Sequence, residues 1–435
     1  MCAHSHARVL VIGIPQDLEA ILSPYVNEAS GPVLILGSDR QLATLPSAIV
    51  EHELVSTLNP WGAAPIEDFV RSRVVETGER IVVLASGDPN FFGVGLRLLE
   101  GLNPAGTSAD ERISVECIPA HSSLTFAAQR VGVAPNALLP VSLLDAGASV
   151  MNLYVDSARP LLVLVPNSTV AQAMATVLPE HYELHVLSNL GFESESHQVY
   201  SAGEATALVL DGPTVIVVLP QAPLCARPAV GLPDSDFATD GQMTKRDMRV
   251  LAVADASLGR DFLRVWDLGA GSGTVGLEIL RSFALRSLGH ASRSRAIDQV
   301  GGVLHSVEPV EARQKFIALN ATNLGLDSAV HIHGEKISAE LLDSLYADGA
   351  PDVIFYGGGV QKAFLDRAME LLAPGGVLIA HGVTLETQAL LSSYAGTEGI
   401  EISGVQFSSW YQLGSMSALK PQFPQLRLVY RKALS

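Results

Sequence analysis

The chain has 435 residues, 48% of them hydrophobic and 17% charged, with a formal net charge of −17. That balance argues against a nucleic-acid or anionic-membrane partner, since both reward basic surfaces, and no apolar run reaches the roughly 18 residues that a membrane helix needs. Cys2, Cys117 and Cys225 are too far apart for a disulfide framework or a zinc spacing, so no metal is expected and a reducing cytoplasm fits.

Cys2, His4 and His6 read as a frayed terminus. From Arg8 onward, apolar runs alternate with turn residues and helical stretches: 8–12, 33–36, 81–84 and 113–117 are strand-like, which predicts a mostly parallel sheet. Further strands at 161–165, 183–186 and 214–219 suggest a second lobe of the same half. Between Pro220 and Asp240 prolines cluster and periodicity fades, so residues 1–222 are expected to form one domain, 223–240 a linker and 241–435 a second domain. Thr244 is the expected N-cap of a helix running to about Ser257, with Asp247 three residues on. Strand and helix then alternate to the end, which predicts a doubly wound sheet with its ligand at the carboxyl ends of the strands.

The second domain opens on the apolar run 262–266 followed by Asp267-Leu268-Gly269-Ala270-Gly271-Ser272-Gly273-Thr274. A dinucleotide fingerprint requires its third glycine later than position 273. The early third glycine suits S-adenosylmethionine better, because the turn and the helix start then face a methionine carboxylate rather than a pyrophosphate. A glycine turn kept for packing alone is the competing reading. Glu308, closing the strand candidate 303–307, is placed to accept from the ribose hydroxyls, although 41 residues separate it from Asp267 and such units span roughly 20. The excess maps onto Ser282 to Gly302, read as an extended helix and a surface loop.

Further segments carry a resemblance. Asp240-Gly241-Gln242-Met243-Thr244-Lys245-Arg246-Asp247-Met248-Arg249, the glycine loop, Phe355-Tyr356-Gly357-Gly358-Gly359 and Val383-Thr384-Leu385-Glu386-Thr387 resemble the decarboxylating methyltransferases of cobalamin biosynthesis that act on precorrin-6Y. The resemblance implies that Thr244, Gly269, Ala270, Gly271, Ser272, Gly273, Glu308 and Lys336 contact S-adenosylmethionine. Lys336 lies in Glu335-Lys336-Ile337, where the family usually has Asp-Ala-Pro. The first half resembles the tetrapyrrole methylases through Leu84 to Gly93 and Pro119-Ala120-His121-Ser122-Ser123, which implies cofactor contacts at Ser86, Gly87, Asp88, Phe92 and Ser122. The family's glycine-proline-glycine loop is Gly13-Ile14-Pro15-Gln16-Asp17 here, and its His-Gly-Arg is Leu144-Asp145-Ala146.

The implied architecture is a two-lobed α/β tetrapyrrole-methylase-like domain followed by a Rossmann-like methyltransferase domain, both using S-adenosylmethionine. The implied reactions are methylation of precorrin-6Y at meso carbons 5 and 15 with loss of the ring C acetate carboxyl, giving precorrin-8X, in a homo-oligomer. Lys245, Arg246 and Arg249 are candidates to hold the carboxylates of a precorrin, and Tyr356 to stack on the macrocycle. His381 and Glu386 are acid or base candidates, against simple loop hydrogen bonding. An RNA or protein methyltransferase with a scaffolding front half, and a front half that binds a tetrapyrrole without methylating it, stay open at this point. No catalytic nucleophile is expected, because the sulfonium donor is already activated.

Overall fold

The computed structural model describes residues 8–14, 17–29, 31–60, 65–104, 107–108, 111–144, 146–221, 227–288 and 300–434. Cys2, His4 and His6, Ala222 and residues 223–226 of the expected linker, and residues 289–299 of the 282–302 expansion lie outside these.

The front lobe is a parallel sheet of β1 (Val9–Ile14), β2 (Val33–Leu36), β3 (Val55–Leu58), β4 (Arg80–Ser86) and β5 (Val115–Ile118), in the order β3-β2-β4-β1-β5. β1, β2 and the middle of β4 are buried on both faces, which is why they read as unbroken apolar runs rather than alternating ones. The second lobe holds β6 (Leu139–Ser142), β7 (Leu161–Val165), β8 (Tyr182–Ser188), β9 (Ser196–Ser201) and β10 (Thr214–Pro220), ordered β6-β7-β10-β8-β9. Only β6 and β7 run parallel; β10 is antiparallel to β7 and β8, and β8 to β9. The expectation of a mostly parallel sheet therefore holds for the first lobe alone. The polar edge strand Ser196–Ser201, which gave no apolar signal, closes the second sheet as the antiparallel partner of β8.

In the rear half β11 (Leu263–Leu268), β12 (Gly302–Val307), β13 (Val330–His333), β14 (Val353–Tyr356) and β15 (Val377–Gly382) are parallel. The alternation does not continue to the end. β16 (Ile400–Val405), β17 (Ser408–Leu413), β18 (Met416–Pro421) and β19 (Gln425–Arg431) follow one another, with β19 inserted antiparallel between β15 and β16 in the order β13-β12-β11-β14-β15-β19-β16. β17 and β18 form a separate two-stranded ribbon. Strand order reverses between β11 and β14, so a crevice opens at their carboxyl ends.

The expected capping of the helix after residue 244 is also revised. The helix is Arg246–Asp255 with Lys245 at the N-cap position, and the Arg246 amide donates to Asp234 Oδ1 at 3.0 Å, so an aspartate 12 residues upstream caps it instead of Thr244. The described part of the stretch read as a linker is packed: Leu232 and Phe237 are buried in the rear core. The two halves are joined by a buried ion pair between Arg281, on the helix Thr274–Ser287, and Asp156, with Nη2 and Oδ2 2.8 Å apart. Leu153 of the front half sits in the rear core.

His305 on β12 is buried, its Nδ1 3.1 Å from His333 Nε2, with the His331 ring stacked at 5.2 Å. Burial first, and then the neighbouring His333 and His331, hold its pKa down at about 4. The unfolded chain therefore takes up a proton near pH 6.5 that the folded chain refuses until about pH 4. This contribution to stability is complete above pH 6.5 and lost as pH falls through that window. Thermal unfolding of His305→Phe should vary less steeply between pH 6.5 and 4 than that of the wild type; superimposable profiles would exclude the assignment.

Candidate functional sites

The rear site is built around the glycine loop. Gly269, Gly271 and Gly273 adopt φ of +70°, +58° and +74°, a region that side chains with a Cβ rarely enter. A Cβ on Gly269 would stand 2.5 Å from the Gly358 carbonyl oxygen, so the loop after β11 and the triple glycine after β14 touch where the strand order reverses. Asp267, buried, anchors the turn by accepting from the Gly276 amide at 3.0 Å through Oδ2. Burial pushes its pKa up to about 7; the Gly276 bond opposes the rise and the nearby Glu308 charge adds to it. Asn320, also buried, donates to the carbonyls of Ser272 and Ala238, tying the loop to the 228–240 strap.

Glu308 follows β12 and is buried; its Oε2 accepts from the Gly271 amide at 2.8 Å and its Oε1 from the Val310 amide at 3.0 Å. Its amide donates to the His333 carbonyl, which brings the turn after β13, with exposed Lys336, beside it. Three left-handed glycines let a ligand approach the backbone closely, and the buried carboxylate against them is the acceptor that the ribose of S-adenosylmethionine needs; the amides of Gly269, Ala270, Gly271 and Gly273 are themselves taken by Val307, Glu308 and Ala270. Ala270 and Ser272 belong to this loop, and the Ser272 hydroxyl is buried with no partner among the described residues. Thr244 is half-buried in the segment beneath the loop, and a Cβ on Gly271 would lie 3.9 Å from the Gln242 carbonyl oxygen.

Two candidate substrate contacts are displaced by their burial. Arg249 is fully buried: Nε donates to Glu278 Oε2 at 2.7 Å, Nη1 to Asp234 Oδ1 at 2.6 Å and to the Thr244 carbonyl at 2.8 Å. Its guanidinium also lies over the Phe237 ring at 4.8 Å, so every face is used inside the protein. The strap covers the helix face that carries it, so Arg249 is not open to a substrate carboxylate. Tyr356 is likewise fully buried among Trp266, Ile354 and Leu378, and its hydroxyl donates to the Gly359 carbonyl at 3.2 Å. The tyrosine thus holds the triple-glycine turn and offers no face to a macrocycle. Lys245 and Arg246 remain exposed, Lys245 3.9 Å from the Asp234 carboxylate and Arg246 bonded through Nε to the Gly231 carbonyl. His381 is buried against Phe355 with neither ring nitrogen paired among the described residues, and burial holds its pKa at about 4. Glu386 is exposed in the first turn of the helix Leu385–Ser392.

The front site is a cleft of about 290 Å³ between the two lobes. Ser86, Gly87, Asp88 and Phe92 line it from the first lobe, and Leu187, Asn189 and Phe192 from the second. Gly13 lets the end of β1, Gly87 and Ala120 converge, since a Cβ there would collide with both. Ser122 is not among the lining residues; it caps the helix Ser123–Val131 by accepting from the Thr125 amide, and its Cα lies 3.8 Å from where a Cβ of Gly87 would stand. Phe92 and Asn189 hold φ of +49° and +51°, so two strained residues face each other across the cleft. The loop at 189–192 was not singled out in the sequence, although Asn189-Leu190-Gly191 between two strands is a turn signal.

Comparison with known proteins covers both halves of the chain. The chain is 30% identical over 432 residues to the precorrin-6Y C(5,15)-methyltransferase [decarboxylating] of Sinorhizobium sp, covering 95% of this chain and 94% of that protein. It belongs to this family. The same-named protein of Mycobacterium tuberculosis is 30% identical over 427 residues, covering 96% of this chain and 97% of that one. A family model described as tetrapyrrole (corrin/porphyrin) methylases matches residues 19–206, and one described as a precorrin methyltransferase domain matches residues 235–432. The C-terminal domain of precorrin-6Y C5,15-methyltransferase from Rhodobacter capsulatus is 31% identical, covering 47% of this chain and 100% of that chain at a TM-score of 0.39. Members of this precorrin-6Y C5,15-methyltransferase family are methyltransferases that use S-adenosylmethionine.

Arg249→Met should lower the unfolding free energy measured in urea by about 3–5 kcal/mol, the cost of leaving a buried partner charge unpaired. A raised substrate KM at unchanged stability would instead return Arg249 to the substrate.

Proposed function

We propose that this chain methylates precorrin-6Y at meso carbons 5 and 15 and removes the carboxyl of the ring C acetate, giving precorrin-8X in cobalamin biosynthesis. The observation that carries this reading is that the similarity to the decarboxylating methyltransferases spans both halves; the front half has a cleft between its lobes, and the rear half a reversal of strand order at the glycine loop, where such sheets bind ligands. We assign the position-5 transfer to the front cleft, and the position-15 transfer with decarboxylation to the rear crevice. S-adenosylmethionine, when bound, supplies an already activated methyl group.

The protein therefore has to position and to exclude water. In the rear crevice the turn Gly269 to Gly273 gives the cofactor a close backbone approach, Glu308 accepts from ribose hydroxyls, and Lys245 and Arg246 stand on the surface where substrate carboxylates would approach. In the front cleft Ser86, Gly87, Asp88 and Phe92 hold the cofactor, with Ser122 at the start of the neighbouring helix. A cytoplasmic location follows from the same reading; among the described residues no helix is long and apolar enough to cross a membrane.

We further read the chain as a homo-oligomer. The β17–β18 ribbon exposes Trp410, Leu413, Met416 and Leu419, each at least 55% accessible, with both strand edges open. An isolated two-stranded ribbon is marginal in water, and apolar exposure on this scale marks a contact surface.

Incubation of the full chain with precorrin-6Y and labelled S-adenosylmethionine should give two methyl transfers and one carbon dioxide per substrate; a single transfer would overturn the bifunctional reading. Glu308→Ala should weaken S-adenosylhomocysteine binding at one of two calorimetric sites by about tenfold or more, given hydrogen bonds to a charged acceptor. An unaltered isotherm would contradict the ribose role. Trp410→Glu with Leu419→Glu should lower the sedimentation mass, and an unchanged mass would remove the ribbon from the assembly.

A further inference from the structure

The front cleft contains a cation that the cofactor assignment does not use. Arg40, in the short helix Asp39–Leu42 that follows β2, is the one arginine or lysine among the described residues lining the cleft. It pairs with no carboxylate among them, in a chain whose formal net charge is −17. Its side chain spans the two lobes instead. Nη2 donates to Ser86 Oγ at 3.1 Å on the first, and the guanidinium carbon lies 4.9 Å from the centre of the Phe192 ring on the second.

The neighbouring hydrogen bonds fix which groups remain free. Ser38 and Gln41 form a reciprocal capping box: the Gln41 Oε1 accepts from the Ser38 amide at 2.8 Å and from its hydroxyl at 3.0 Å. The amide end of Gln41, itself buried, is thereby turned to donate to Ser86 Oγ at 3.1 Å. A serine hydroxyl has two acceptor lone pairs and one donor. Arg40 and Gln41 take both lone pairs, so the Ser86 hydrogen is left to be donated elsewhere. Arg40 keeps Nε and Nη1 as donors without a partner among the described residues. Three donors, two of them on one permanently charged guanidinium, stand at the mouth of a cleft otherwise lined mainly by apolar side chains.

We propose that Arg40, positioned by Phe192 and the Ser86–Gln41 pair, is the receptor for a peripheral carboxylate of the tetrapyrrole in the front cleft. The inference rests on the reading of that cleft as a precorrin methylation site. The macrocycle rather than the cofactor is the chosen ligand because Arg40 is exposed, at the rim where carboxylates on the edge of a large ring lie, whereas the glycine-containing turn Ser86 to Gly93 is available for the smaller cofactor. The planar guanidinium stacked on Phe192 suits a fork-shaped contact, which a lysine reproduces only as a point charge.

The test uses the full chain and follows methylation at position 5 by the placement of a labelled methyl group. Arg40→Gln should raise the KM for precorrin-6Y in that transfer by about tenfold or more, the range expected for hydrogen bonds to a charged group, with kcat within about twofold. Arg40→Lys should recover part of the loss, and the calorimetric affinity for S-adenosylhomocysteine should be the same in all three proteins. An unchanged KM, or a fall in cofactor affinity that matches the rise in KM, overturns the assignment. Absorbance titration with precorrin-6Y, in the presence of S-adenosylhomocysteine, reads uptake without turnover. If the wild type places no methyl at position 5, the reading of the front cleft fails; equal titrations of wild type and Arg40→Gln then overturn the Arg40 proposal as well, and loss of one binding equivalent in the variant sustains it.

Discussion

The rear half depends on one buried carboxylate. Glu278 is fully enclosed in the helix that begins at the glycine loop; its Oε1 accepts from the amides of Gly231 and Leu232, and its Oε2 from Arg249. A charge removed from water on this scale is tolerated only when it is paired and hydrogen-bonded. Meeting that demand fixes three segments together: the 228–240 strap supplies the amides, the helix Arg246–Asp255 the guanidinium, and the helix Thr274–Ser287 the carboxylate. Arg249 then reaches the carbonyls of Leu232 and Thr244, so the segment carrying Thr244 is held under the loop it was expected to serve. Site geometry and core electrostatics are one system here.

Both crevices reach the same result by different means. In the rear, the turn is set by glycines at positive φ, with Asp267 and Asn320 anchoring it from inside. In the front, the corresponding closeness comes from Gly13 and Gly87 at the convergence of β1, β4 and the segment near Ala120, with strain carried by Phe92 and Asn189. This fits the chemistry. A sulfonium donor needs alignment more than it needs a nucleophile, and alignment is a property of backbone and packing.

Legibility in the sequence followed the kind of signal. Strands buried on both faces, such as Val33–Leu36 and Val353–Tyr356, announce themselves as apolar runs, and the glycine spacing at 269–273 singled out a donor type. Polar edge strands such as Ser196–Ser201 carry no apolar run. The closing strands Ile400–Val405 and Gln425–Arg431 pair with each other across a ribbon, an order that local pattern does not encode. Arg249 and Tyr356 show the deeper limit. Their residue types suit surface chemistry, and only tertiary cover, by the strap in one case and by the sheet's own core in the other, turns them inward. Arg40 is the reverse case: nothing in Ser38-Asp39-Arg40-Gln41 marks a ligand until Ser86 and Phe192 are brought to it from 46 residues away and beyond.

The Asp156–Arg281 pair bears on how such a chain can be divided. Arg281 is fully buried and also donates to the carbonyls of Pro228 and Ala229, while Asp156 has a second cation in Arg227 at 3.6 Å. Leu153 completes the rear core from the front half, and a Cβ on Gly325 would stand 2.8 Å from the Leu153 amide nitrogen. A cut at the junction would therefore strand an ion on each fragment and open an apolar seam on both. A gene encoding either half by itself would have to rewrite these positions as solvent-facing ones, so the fusion is recorded in the side chains of the seam as well as in the continuity of the chain.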